Sequence, residues 1–244
     1  MAETSSPLAE LFSRLADDAD MIVGNPDDLA LLQSQGVYPQ PPPSRTVEES
    51  VTLLLKRHEV GAVDRAKSLP PPPASAPPAV SSLYGEISAC IVLNVPGAAI
   101  TLTGILIEFV VKYATYIREA GGFAAYDPAR WDSFERITLG PAIARAEKAE
   151  LITTQQATEL RRFKDVVRNP YNHYNIRKIT GHLIWDHVKK VDLKTGLVEE
   201  KAIAVKDDPV LQAQAKPIVD AQYALSHFIL ADAVVKSLLA TIGY

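Results

Sequence analysis

Cysteine is almost missing from this chain: Cys90 is the single thiol among 244 residues. No intrachain disulfide can form and no cysteine-built zinc site is available. That fits a reducing compartment, and a cytoplasmic location is expected. Glycine is modest, at 12 residues, and nowhere forms the Gly-rich loop that cradles phosphates. A His-Glu-x-x-His zinc pattern and an internal repeat are missing as well. An excess of positive charge is also lacking. The formal net charge of −4 argues against a protein that coats nucleic acid indiscriminately. Between Met1 and Asp20 no basic stretch precedes an apolar one, so no secretory signal is expected there.

What is present is an ordinary globular composition, 47% hydrophobic and 22% charged, rich in the alanine and leucine that favour helix. The 18 prolines are clustered. Tyr38 to Pro43 and Leu69 to Pro78 cannot be helix and read as extended spacers or arms lying across a surface. The second run marks off residues 1–79, a helical and proline-rich arm, from a main body at 80–244. In the arm, Leu8 to Ala19 and Leu29 to Gln33 read as short helices. Thr46 with Glu49 forms a capping box opening another.

In the body, Ile87 to Val111 contains one charge, Glu108, and is long enough to cross a bilayer. Asn94, Thr101 and Thr103 and the Pro96-Gly97 break argue instead for two buried helices, Ile87–Leu93 and Ala98–Ala120, and against a membrane. Asp127-Pro128 starts a helix carrying Trp131, Phe134 and Ile137, interrupted at Leu139-Gly140-Pro141. Thr153 with Gln156 caps a helix through Ala157, Leu160, Phe163 and Val167. Alternating apolar residues on either side of Lys194-Thr195-Gly196 suggest a β-hairpin, and Pro217 to Ile242 closes the chain as an apolar helix. The expected class is mainly α, a compact helical bundle with a small β-hairpin.

Charge is unevenly placed. From Arg161 to Lys190 eight basic residues face two acidic ones, a local balance of +6, so the rest of the chain carries −10. A polyanion held at one place, or a solvated helix face, would each account for this. Within the segment stands Arg168-Asn169-Pro170-Tyr171-Asn172-His173. Proline disfavours helix in the residue before it, so the preceding helix is expected to end or kink at Arg168-Asn169. Asn169 would then cap a new helix with Pro170 at its first position. His173 would fall in that helix's first turn, where free N–H groups and the dipole favour an anion. Arg168 would converge on the same spot.

The stretch from Leu160 to His173 resembles the signature of HEPN-type ribonucleases: an arginine, a polar residue, a few variable positions and a histidine. The resemblance covers roughly Val80 to Tyr244. It implies a metal-independent endoribonuclease without a cofactor, acting on RNA as a homodimer with both motifs facing one cleft, in a toxin or phage-defence setting, with an antitoxin or other protein as a further partner. A catalytically silent relative that binds RNA, a nucleotide or a protein is the alternative. Under this resemblance His173 is the general acid or base for attack by the ribose 2′-OH. Arg168 opposes the charge that develops on phosphorus, and Asn169 orients the scissile group.

Glu108, a carboxylate on an apolar helix, needs a partner or a route to water. Family members often place an acid beside the motif arginine, so a pairing with Arg168 is expected. Lys164, Tyr171, Asn172 and Arg177 are the candidate RNA contacts, with Tyr174 and Asn175 beside them. These aromatic rings suit either stacking on bases or packing of the helix start. His182 and His187 lie five residues apart, which does not put two metal ligands on one helix face, and they read as exposed helix residues. His227 reads as a core or interface histidine.

Overall fold

The computed structural model describes residues 46–191 and 198–244. The expected helices at Leu8–Ala19 and Leu29–Gln33, the first proline run and the Lys194-Thr195-Gly196 turn lie outside the described residues. The chain divides into two compact units, Met1–Arg57 and His58–Tyr244, so the second proline run belongs to the larger unit. There Leu69 and Ala76 pack on the core, and the Pro71 carbonyl accepts a bond from Lys236 Nζ at 2.9 Å.

Among the described residues the fold is mainly helical with one two-stranded antiparallel sheet. Helix α1 (Val47–Glu59) opens with the expected capping box: Thr46 Oγ1 accepts from the Glu49 amide, and Glu49 returns to the Thr46 amide. Helix α2 (Ala62–Lys67) follows. Its Arg65 donates through Nε and Nη2 to the Val92 carbonyl at the end of α3 (Pro78–Val92), where a cation meets the negative end of the helix dipole. The expected break at Pro96-Gly97 separates α3 from α4 (Pro96–Ala120), which stops at Gly121 in the left-handed conformation. Asp127 caps α5 (Pro128–Glu135) through its side chain, as its sequence implies.

Several boundaries differ from expectation: α3 begins at Pro78 rather than Ile87, because a proline fits the first turn of a helix. Leu139-Gly140-Pro141 does not interrupt a helix but begins one, α6 (Leu139–Lys148), because Pro141 sits in the first turn, where no amide hydrogen is required. The helix after the hairpin starts at Pro209 rather than Pro217, with Asp208 capping the Val210 and Leu211 amides. Pro217 is exposed inside it, on a side where the carbonyl left without a donor meets water. A further difference lies at the motif and is described below. Helix α7 (Thr154–Phe163) carries the expected capping box between Thr153 and Gln156.

Strand β1 (Ile184–Val191) pairs with β2 (Val198–Ala204) in a register running from Ile184 opposite Ala204 to Val191 opposite Val198. A bulge falls between Trp185 and Val188, where His187 adopts φ 61°. His182 and His187 are therefore exposed but not helical: one lies in the turn before β1 and the other on the bulge, bonded to Glu200 at 2.7 Å.

The core is formed by α3, α4, α6, α7 and the closing helix α10 (Pro209–Thr241), with Ile87, Ile100, Ile107, Val110, Ile143 and Phe228 fully enclosed. Each such side chain contributes about 1.5–3 kcal/mol on leaving water. Helices α4 and α10 are long and apolar enough to cross a membrane; 56% of the apolar window of α4 and 39% of that of α10 are buried in the fold. For α4 the bundle core accounts for most of that apolar character.

Candidate functional site

The motif lies on one continuous helical run. After α7 the backbone widens into a π-helical turn, Lys164–Arg168, and passes directly into α8 (Asn169–Asn172). Arg168 (φ −56°, ψ −52°) and Asn169 (φ −66°, ψ −46°) are both right-handed helical. The expected helix end, and the expected N-cap at Asn169, are thus replaced by a π turn. The physical reason is the pyrrolidine ring of Pro170: it has no N–H to give and would collide with the carbonyl four residues earlier, and a wider turn makes room for it.

This alters the surroundings of His173. It is the C-cap of α8, at φ −99° and ψ 6°, with its amide bonded to the Asn169 carbonyl at 3.1 Å. The anion-favouring helix mouth expected around it is not there, since a C-terminal end presents carbonyls rather than free amides. Its imidazole is exposed and makes no hydrogen bond or ion pair with the other described residues.

Arg168 is held from three directions. Its Nη2 donates to Glu108 Oε2 at 2.5 Å and its Nη1 to Asn169 Oδ1 at 3.1 Å. Its aliphatic stem lies on Gly104 of α4, where a Cβ would come within 3.1 Å of Arg168 Cγ. The other oxygen of Glu108 meets Lys112 Nζ at 2.8 Å, and Lys112 also donates to the Glu135 carbonyl at 2.9 Å. Gly104, Glu108 and Lys112 stand four residues apart, so they share one face of α4. A notch, an acid and a second cation follow each other along the side that receives the guanidinium. The side chains of Glu108, Lys112 and Arg168 are only 15%, 10% and 21% exposed. Arg168 Nε is buried with no hydrogen-bond partner among the described residues.

Of the residues singled out in the sequence, the structure brings Glu108, Arg168 and Asn169 into one bonded array and leaves His173 outside it. Lys164, in the π turn, pairs with Asp165 at 3.2 Å. Asn172 and Arg177 are exposed, Arg177 lying 3.9 Å from Asp207. Tyr171 is a correction. It is 9% exposed, so its ring packs in the core and cannot stack on a base. Its hydroxyl donates to Asp220 Oδ1 at 2.6 Å, and burial together with that carboxylate pushes the phenol pKa far up, so the proton stays on oxygen.

Sequence reasoning missed what Tyr171 packs against. Asp220 and Lys216, both on α10, are buried and bonded at 2.5 Å. Their i, i+4 spacing was legible, but nothing in the sequence places them beneath the motif. Gly97 was the available signal, as a Cβ there would fall 2.7 Å from Asp220 Oδ2. His227 packs edge-on to Phe163 and stacks with Tyr223 at the bundle, and burial pulls its pKa down, which favours the neutral ring. An apolar cleft of about 40 Å³, lined by Ile107, Ile152, Leu160, Phe163, Leu230 and Leu238 among others, includes none of the motif residues.

No family model, no curated protein and no solved structure matches the chain. Fold and site together define a helical bundle in which a mainly buried Glu–Arg–Asn array forms at the end of a π turn and a solvent-facing histidine follows at the end of the next short helix.

Proposed function

We propose that this protein is a HEPN-type, metal-independent endoribonuclease acting as a homodimer. One observation carries the reading. Arg168 is anchored by Glu108 and Asn169, and an exposed, unbonded imidazole follows five residues later. In this reading the 2′-oxygen of a ribose attacks the adjacent phosphorus. The bond to the 5′-oxygen breaks, and the proton released from the 2′-OH is balanced by one delivered to the leaving oxygen. His173 handles one of those transfers. Arg168 opposes the charge that builds on the non-bridging oxygens, while Glu108 fixes the guanidinium and Asn169 orients it.

A second reading is a silent module that binds RNA. It is favoured by the neutralising contact of Glu108 on Arg168 and by the place of His173 at a helix C-terminus, where the dipole does not assist an anion.

Incubating the protein with structured and unstructured RNA in the presence of EDTA tests the proposal. Cleavage leaving 2′,3′-cyclic phosphate and 5′-hydroxyl ends is expected, slowed about 10²- to 10⁴-fold in His173→Ala. Intact RNA held tightly would favour the second reading. RNA neither cut nor bound would sink both.

A further inference from the structure

Tyr174 is the residue whose placement the fold does not require. It follows His173 directly, and its backbone has φ 49°, a left-handed value that bulky residues seldom adopt and that costs energy to hold. A core aromatic could justify that cost by burial, but Tyr174 is 67% exposed. A surface turn of this shape is better served by Gly or Asn.

The turn is nevertheless fixed. The Tyr174 amide donates to the Tyr171 carbonyl at 3.1 Å, the Asn175 amide to the Pro170 carbonyl at 2.7 Å, and Asn175 Oδ1 caps the Lys178 amide of α9 (Ile176–Thr180). The ring is also held. Lys216 Nζ lies over it, 5.3 Å from its centroid, and 5.2 Å from that of Tyr171. Lys216 is itself 9% exposed and locked to Asp220. A buried ammonium is tolerated only when its charge is met; here one carboxylate and two aromatic rings meet it. The buried array thus grips the chain on both sides of His173 and presents Tyr174 with most of its surface in solvent. Around it in sequence stand Arg177 and Lys178, both exposed.

We propose that Tyr174 is a stacking platform for an unpaired RNA base beside the phosphate that faces His173, with Lys216 as the residue that sets its ring. The substrate class is therefore single-stranded RNA, because a base within a duplex has no free face to offer. The choice of RNA rests on the ribonuclease reading; the stacking geometry does not depend on cleavage.

The test uses the full chain carrying His173→Ala, so that RNA survives the measurement. A short fluorescein-labelled oligoribonucleotide is titrated by anisotropy, alone and annealed to its complement. The single strand should bind more tightly than the duplex. Adding Tyr174→Ala should weaken single-strand binding about 5- to 150-fold, the range for loss of one base–aromatic stack, and leave duplex binding unchanged. Tyr174→Phe, which keeps the ring and loses only the hydroxyl, should retain the affinity. Equal single-strand affinity with and without the Tyr174 ring would overturn the platform, even if the wild-type protein cuts RNA. Ring-dependent binding by a protein that cuts nothing would leave the platform standing and remove the nuclease. No binding to either RNA would overturn it outright.

Discussion

Glu108 stands on α4 among side chains that mostly face the core, with Ile107 fully enclosed beside it. A carboxylate so placed is tolerable only because Arg168 and Lys112 close on its two oxygens. Replacing it with alanine would leave two cations facing each other, each no more than about a fifth exposed. Removing one partner of a buried pair typically costs about 3–5 kcal/mol, because the remaining charge is stranded. We expect Glu108→Ala to lose about 3 kcal/mol of unfolding free energy in urea, at the lower end because both cations keep some contact with water. An unchanged midpoint would mean that Arg168 finds another partner and that the array is not what fixes it. The sequence shows that Glu108 needs a partner or a route to water, since a lone acid in an apolar helix is costly, but does not decide between the two. The notch at Gly104 is not legible there, because glycine inside a helix announces a close approach without naming what approaches.

At the scale of elements, helix starts were read well where side chains act on their own backbone. The boxes at Thr46–Glu49 and Thr153–Gln156 and the caps at Asp127 and the hairpin strands follow from local chemistry. Prolines are less legible. The pattern makes Pro141 a break, yet it sits in the first turn of α6; it makes Pro217 a start, yet it lies inside α10; and it makes Pro170 a kink, yet it follows a π turn. A proline states only that one amide hydrogen is missing; whether the chain stops, widens or carries on is decided by neighbouring helices. This has a consequence at the motif. With Pro170→Ala the steric reason for the wide turn is gone, and an α register can replace it. Stability should change by about 1 kcal/mol or less. RNA cleavage should fall at least tenfold, because a shift of one helical register turns Arg168 away from the Glu108 carboxylate that fixes it. A variant with full activity and an unaltered melting temperature would show that the π turn is incidental.

Over the whole molecule, charge is segregated in a way that neither the core nor the hairpin demands. The segment from Arg161 to Lys190 carries +6 within a chain of −4. Many of its cations are not spent on internal pairs: Arg162 and Lys178 are exposed and make no side-chain bond with the other described residues, and Arg177 has only the 3.9 Å contact to Asp207. Arg168, by contrast, is engaged by Glu108 and adds little to long-range attraction. Arg162, Lys178 and the weakly paired Arg177 meeting three phosphates of a single strand would release condensed counterions, so the logarithm of the binding constant should fall against the logarithm of salt with a slope of about −2. Arg162→Gln and Lys178→Gln should each bring that slope toward zero by about 0.7 while leaving the fold alone, since neither side chain is packed. Tyr174→Ala should lower affinity at every salt concentration without moving the slope, because stacking displaces no counterions. A slope near zero for the parent protein would mean that the cations of the basic segment merely solvate their helices, and that RNA, if bound, is held elsewhere.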